Sequence, residues 1–222
     1  MSPLQDRSYS GRTNCARRRR RVRVIAMFDG TPLNAYGYRC KVFAHETTIV
    51  ESGASVGEGT RIWHHSHVRE GAKIGDHCVL GKNVFVDSDV RIGDRVHIQN
   101  NVSVYAGVTL DDDVFVGPSA VFTNDRVPRS HGVGWSPANT RLRRGASIGA
   151  NATIVAPVEI GEWAMVGAGA VVIHPVKANQ LVVGNPACAA GWCCWCGRVV
   201  SRDRSRPQGA VCECGLALGA TR

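Results

Sequence analysis

A chain of 222 residues, 44% of them hydrophobic, holds enough apolar material for one main domain and a small appendage, which excludes an intrinsically disordered protein. The formal net charge of +9 points at first to a polyanionic partner, but the eight Arg between Arg7 and Arg23, set against Asp6, carry +7 of it. The remaining body is nearly neutral, so no nucleic-acid partner is expected for it.

Residues 1–40 read as a basic N-terminal arm outside the folded domain. The stretch "RRRRRVRVIAMF" superficially resembles a twin-arginine export signal. Its apolar part runs only from Val24 to Phe28 before Asp29 and Gly30, too short for the apolar region of such a signal. Met27 is an alternative start of the protein. No run approaches the ~18 apolar residues of a membrane-spanning helix. A cytoplasmic protein with no membrane partner is expected.

From Val50 an apolar residue returns every six positions, through Ile62, Ile74, Val86, Ile98 and Leu110 to Phe122, thirteen in succession. Two residues before each stands a small or β-branched residue, such as Ala54, Thr60, Ser66, Cys78 or Val96, and Gly follows several of them. Neither a helix, with its 3.6-residue repeat, nor a half-buried strand, with its repeat of 2, produces this period. The phase breaks after Phe122 and resumes at Ile148, Ile154, Ile160, Val166 and Val172; the gap of 26 residues is four hexads plus two. Residues 123–142 are therefore expected to leave the repeat as an excursion loop. The pattern resembles the hexapeptide repeat of left-handed parallel β-helices, in which three hexads close one triangular coil, the aliphatic residue fills the interior, and Gly fits tight corners. The expected fold is all-β, a left-handed parallel β-helix over residues 41–190. Its eighteen hexads make about six coils, a prism roughly 30 Å long at ~4.8 Å per coil.

Residues 191–222 form a Cys-rich tail with five of the nine cysteines, in "GWCCWCG" and "VCECG". The pairs Cys194/Cys196 and Cys212/Cys214, each followed by Gly, point to a small structural zinc site rather than to disulfides in a cytosolic protein. A register using Cys193 in place of Cys194 and a tail of free thiols are the alternatives.

Several stretches are more specific than the hexads: "GTRIWHHSHV" at 59–68, "IQNNVSVY" at 98–105, "VFVGPSAVFTND" at 114–125, "RRGASIGANATIV" at 143–155 and "VVGNPA" at 182–187. With these the chain resembles, over roughly residues 45–192, the bacterial N-acetyltransferases that acylate the 3-amino group of UDP- or dTDP-linked amino sugars. The resemblance implies acetyl-CoA as co-substrate, a nucleotide-linked amino sugar as partner, and a homotrimer with sites between subunits. Fold alone does not fix chemistry.

The reaction asks little of the protein. A neutral amine already attacks a thioester, and a thiolate with pKa near ~8.5 leaves without much help. The site must orient the substrates and stabilise the oxyanion. Asn124, in the family's "FTN" motif, is the expected oxyanion or amine partner, against a plain turn role at the loop base. His67 and His64 join it as catalytic candidates. Asp125, Arg129, Gln99 and Asn100 are candidates for the sugar nucleotide, with loop salt bridging or subunit packing as their other readings. Coenzyme A is expected on Gly149, Ala150, Asn151, Gly167 and Ala168, with Arg143, Arg144 and Lys177 for its phosphates unless these are simply solvated. Cys188 stands where the family often has a basic residue in "GNPAR". Cys194, Cys196, Cys212 and Cys214 are the metal candidates.

Two readings from other classes compete. A zinc carbonic anhydrase shares the fold but takes two of its three His five residues apart, and none of the eight His here is so spaced. A non-catalytic scaffold would use arm and tail as binding elements. Within acyltransferases, an O-acetyltransferase acting on a sugar or other small acceptor is the alternative.

Overall fold

The computed structural model describes residues 42–131 and 134–220, together with a short backbone ladder in which Met27–Phe28 pairs antiparallel with Thr31–Pro32. The rest of the basic arm lies outside the described residues.

Each hexad contributes a two- or three-residue strand and a tight corner. In Arg61–Ile62, His67–Val68 and Lys73–Ile74 the second residue is buried and the first faces outward or lies half-buried. A two-residue strand holds because its bonds run to the neighbouring coil, 18 residues on: Ile62 registers with Leu80, Val68 with Val86 and Ile74 with Ile92. Three parallel sheets result. The first face runs from Phe43–Ala44 to Gln180–Val183, the second from Ile49–Val50 to Val171–Val172, and the third from Ser55–Val56 to Val158–Ile160. Ile62, Leu80, Val86, Ile98, Phe122 and Ile154 fill the interior, all essentially inaccessible to solvent.

Among the described residues the solenoid has seven coils and one strand of an eighth, more than the six expected from the hexad count. Ala44 and Leu142 also occupy interior positions, and the seventh coil is two residues short, so that Val176 pairs with Ile160 and Val182 with Val166 out of phase. The excursion is correspondingly shorter than 123–142. Thr140–Leu142 is already a strand, paired with Val108–Leu110, because Leu142 stands one hexad before Ile148.

Small residues at the position two before each aliphatic one serve the corners. Thr60 Oγ1 donates to the Gly75 carbonyl (2.8 Å) and accepts from Cys78 N–H (2.9 Å), and Ser66 Oγ donates to the Gly81 carbonyl (2.8 Å). Gly117 is required by close approach, since a Cβ there would stand 2.7 Å from the Ala150 nitrogen of the next coil. Asn83, Asn101 and Asp113 hold φ near +60°, a region that Asn and Asp tolerate better than most side chains. Beyond the last parallel strand, Cys188–Cys193 folds back antiparallel on Gln180–Val183, and Val199–Ser201 pairs antiparallel with it.

Candidate active site

Parallel in-register pairing stacks side chains of successive coils in columns. On the second face, His67, Phe85, Ser103 and Val121 form one outward column. His67 meets Phe85 edge-on at 5.7 Å between ring centroids, and Phe85 lies 6.0 Å from Tyr105.

At the corner between second and third faces, polar groups link coil to coil. His67 Nε2 is 2.7 Å from Glu51 Oε1, and Glu51 Oε2 accepts from the Glu70 N–H at 3.1 Å. Hydrogen bonding to Glu70, then to His67, holds the Glu51 carboxyl down at about 2, so the histidine has an ionised partner at neutral pH. Arg69 bridges Glu70 (3.1 Å) and Asp87 (2.9 Å), and Asp87 accepts from Ala106 N–H at 3.2 Å. The ladder ends at Asn124, whose Nδ2 donates to the Ala106 carbonyl at 3.1 Å while its backbone carbonyl accepts from Ala138 N–H at 2.8 Å. Asn124 thus closes the base of the excursion loop, where the second and third faces meet. His67 and Asn124 share this edge but stand three coils apart, roughly 14 Å at ~4.8 Å per coil. They cannot contact one reacting atom.

The other expected site residues lie elsewhere. His64 occupies the opposite edge of the second face, stacked on His45 at 3.5 Å; desolvation first, then the neighbouring His45 and His65, push it toward the neutral form. Asn100, on the same edge two coils on, accepts from Lys82 N–H at 2.8 Å and so staples two corners, with Gln99 half-buried beside it. Asp125 accepts from Val127 N–H (2.9 Å) within its own loop, and exposed Arg129 donates to the Pro128 carbonyl (3.2 Å).

Gly149, Ala150 and Asn151 lie directly under Gly167 and Ala168 at the corner between first and second faces, with Gly169 N–H donating to the Ala150 carbonyl at 2.8 Å. A Cβ on Gly149 would collide with the Ala168 backbone, so coil stacking alone demands glycine there. Arg144 and Lys177 are on the corner between third and first faces, across the first face from this strip. Arg144 is paired with Asp113 (2.9 Å) and Arg143 with Glu159 (3.1 Å). Asp113 is held below the usual carboxylate range by Arg95 first and also by Arg144. The expected coenzyme residues therefore divide between two edges. Exposed Cys188 sits with its Sγ 3.6 Å from the Pro186 carbonyl.

Sequence reasoning missed Glu51, Asp87, Phe85 and Tyr105. Counting in steps of 18 places Phe85 above His67 and Glu51 in line with Arg69 and Asp87, and that was the available signal. The sulfurs of Cys194, Cys196, Cys212 and Cys214 do come together, all within 4.8 Å of one another.

A three-faced parallel solenoid built on hexads, with a single excursion at one corner, defines a hexapeptide-repeat protein. Residues 53–88, 89–124 and 139–174 match the bacterial transferase hexapeptide (six repeats) family, and residues 71–106 also match the hexapeptide repeat of succinyl-transferase. The interval between the second and third matched segments coincides with the excursion loop. Over 76 residues the chain is 43% identical to the dTDP-3-amino-3,6-dideoxy-alpha-D-galactopyranose 3-N-acetyltransferase of Aneurinibacillus thermoaerophilus, a match covering 34% of this chain and 38% of that one. The match thus spans well under half the length of that curated relative. A UDP-N-acetylglucosamine acyltransferase from Bacteroides fragilis shares the fold, with a TM-score of 0.55 and 15% identity over 68% of this chain and 61% of that one. A GDP-perosamine N-acetyl transferase from Caulobacter crescentus, solved with CoA and GDP-perosamine, aligns at 22% identity and a TM-score of 0.45 over 70% of this chain and 59% of that one. Among the described residues no helix is long and apolar enough to cross a membrane.

Proposed function

We propose that the protein is an acetyl-CoA-dependent N-acetyltransferase acting on the 3-amino group of a nucleotide-linked sugar, built as a left-handed β-helix and working as a cytoplasmic homotrimer. The observation that carries this reading is the 43% identity over 76 residues to a curated 3-N-acetyltransferase of a dTDP-linked amino sugar. The amine lone pair attacks the thioester carbonyl and forms the C–N bond. The tetrahedral oxyanion collapses, the C–S bond breaks, and the proton released from nitrogen balances the thiolate that leaves.

Asn124 is the proposed oxyanion partner: its amide carries two N–H groups, and among the described residues one bond is made from them, to the Ala106 carbonyl. His67, fixed by Glu51, and His64 then serve the acceptor sugar, together with Asp125, Arg129, Gln99 and Asn100. Because Asn124 and the strip Gly149–Asn151 with Gly167–Ala168 lie on different corners, the proposed site forms between subunits of the trimer, pantetheine lying along the strip of one subunit and Asn124 coming from its neighbour, with Arg144 and Lys177 as the proposed phosphate partners. Light scattering should give a mass near three times 23.9 kDa; an active monomer removes any site between subunits.

One observation favours a second reading. A histidine 2.7 Å from an ionised carboxylate is the pairing a hydroxyl acceptor needs for deprotonation, so O-acetyl transfer is the alternative. Thiol release from acetyl-CoA, followed against UDP- and dTDP-linked 3-amino sugars and their 3-hydroxy counterparts, separates the two. Turnover confined to the amino sugars is expected. Turnover confined to the hydroxy sugars overturns the N-acetyltransferase reading.

A further inference from the structure

The four thiols at the end of the chain are delivered by two copies of one turn. In the first, Cys194 N–H donates to the Arg198 carbonyl (2.9 Å), and Gly197 N–H donates to the Cys194 carbonyl (2.9 Å). In the second, Cys212 N–H donates to the Leu216 carbonyl (2.8 Å), and Gly215 N–H donates to the Cys212 carbonyl (2.8 Å). Gly197 and Gly215 both adopt φ of 85°, which a residue with a Cβ rarely does. Each turn presents the sulfurs flanking its middle residue toward the other turn. Cys194 and Cys214 are 3.6 Å apart, as are Cys196 and Cys212.

Four sulfurs at ~2.3 Å from a tetrahedral zinc ion stand about 3.8 Å from one another. A disulfide would instead draw two sulfurs to ~2.05 Å and leave no reason for all four to converge. We propose that Cys194, Cys196, Cys212 and Cys214 bind one zinc ion as a closed tetrathiolate site with a structural role. Four protein ligands leave no position for water or substrate, so the site takes no part in acetyl transfer.

The register is set by the surroundings of Cys193. That side chain is buried and directed to the solenoid, its Sγ 4.0 Å from Met165 Sδ, while its backbone exchanges hydrogen bonds with buried Asn179: Cys193 N–H to the Asn179 carbonyl (2.7 Å) and Asn179 Nδ2 to the Cys193 carbonyl (3.1 Å). Alternation along the strand then turns Cys194 toward the other three thiols.

The placement indicates what the metal secures. Trp195, between two ligands, stands edge-on to Trp163 of the sixth coil at 6.1 Å and 88°. The strand Cys188–Cys193, leading into the first turn, covers the hydrogen-bonding edge of Gln180–Val183, the last strand of the first face. An uncovered parallel edge invites pairing with another chain, and zinc would keep this one closed.

Full-length protein purified without chelators or metal-affinity steps is analysed by native mass spectrometry and elemental analysis. One zinc per chain is expected, lost in Cys194→Ser and Cys214→Ser and retained in Cys193→Ser. Replacement by Co²⁺ should give the intense sulfur-to-cobalt charge-transfer absorption of a tetrahedral thiolate site, a readout that needs no variant to fold. Metal-free protein, two disulfides found by alkylation under denaturing conditions, or zinc lost from Cys193→Ser and kept by Cys194→Ser would overturn the assignment. None of these readouts depends on acetyl transfer, so their failure leaves the proposed function standing.

Discussion

The solenoid and the excursion loop are held in different ways. In the solenoid a residue's place follows from its phase: every sixth residue points inward, and, outside the coil with the excursion and the shortened seventh coil, every eighteenth lies above its counterpart. In the loop, side chains are held by bonds to nearby groups, as in Asp125 to Val127 and Arg129 to Pro128, and no period governs them. Periodic regions are thus robust on the surface and intolerant inside, while the loop is tolerant except where it is anchored, at Asn124.

This contrast can be broken first in the core. Ile98→Ala leaves a cavity between coils that cannot collapse without shifting their stacking, and should cost about 2–5 kcal/mol. Val121→Ala, on an outward position 48% exposed, should cost under about 1 kcal/mol when both variants are compared by urea titration. Equal costs would mean that phase does not set burial.

A smaller effect concerns Glu51. Its folded pKa of about 2 lies below the ordinary 4.5, so it stabilises the protein above about pH 4.5, and that contribution is lost as pH falls from there to about 2. Urea midpoints measured from pH 2 to 7 should fall less steeply in this window for Glu51→Gln than for the parent protein. Parallel curves would show that the Glu51 contacts do not persist in solution.

The smallest change is expected at the far corner. Arg144→Ala breaks an exposed pair with Asp113 and should shift stability by under about 1 kcal/mol. Its informative readout is the KM for acetyl-CoA, which rises if Arg144 holds a phosphate and is unchanged if Arg144 serves only Asp113.

Most of the solenoid was legible in the chain because one aliphatic residue per hexad is a dense signal. The misjudged coil count has identifiable causes. Ala44 fills an interior position with a small side chain, Leu142 stood beside a broken phase, and the shortened seventh coil moved Val176 and Val182 out of step. The site was less legible. Glu51 and His67 are 16 residues apart in sequence, a contact made between coils that no local motif announces. Asn100 reads as a recognition residue in "IQNN", and no local motif announces that its carboxamide oxygen also accepts from the Lys82 N–H of the preceding coil. The four thiols were legible because glycine follows each pair and fixes the same turn twice.

The most direct test of direct amine attack is kcat for Asn124→Ala and His67→Ala with a 3-amino sugar nucleotide across pH 6 to 9. Because the two residues stand roughly 14 Å apart along one edge, only one of them can serve the reacting carbonyl. The account predicts that Asn124→Ala lowers kcat by on the order of 10², while His67→Ala costs clearly less and leaves the pH profile unchanged. A nearly inactive His67→Ala with an altered pH profile, beside a nearly normal Asn124→Ala, would contradict it and put a histidine base in its place.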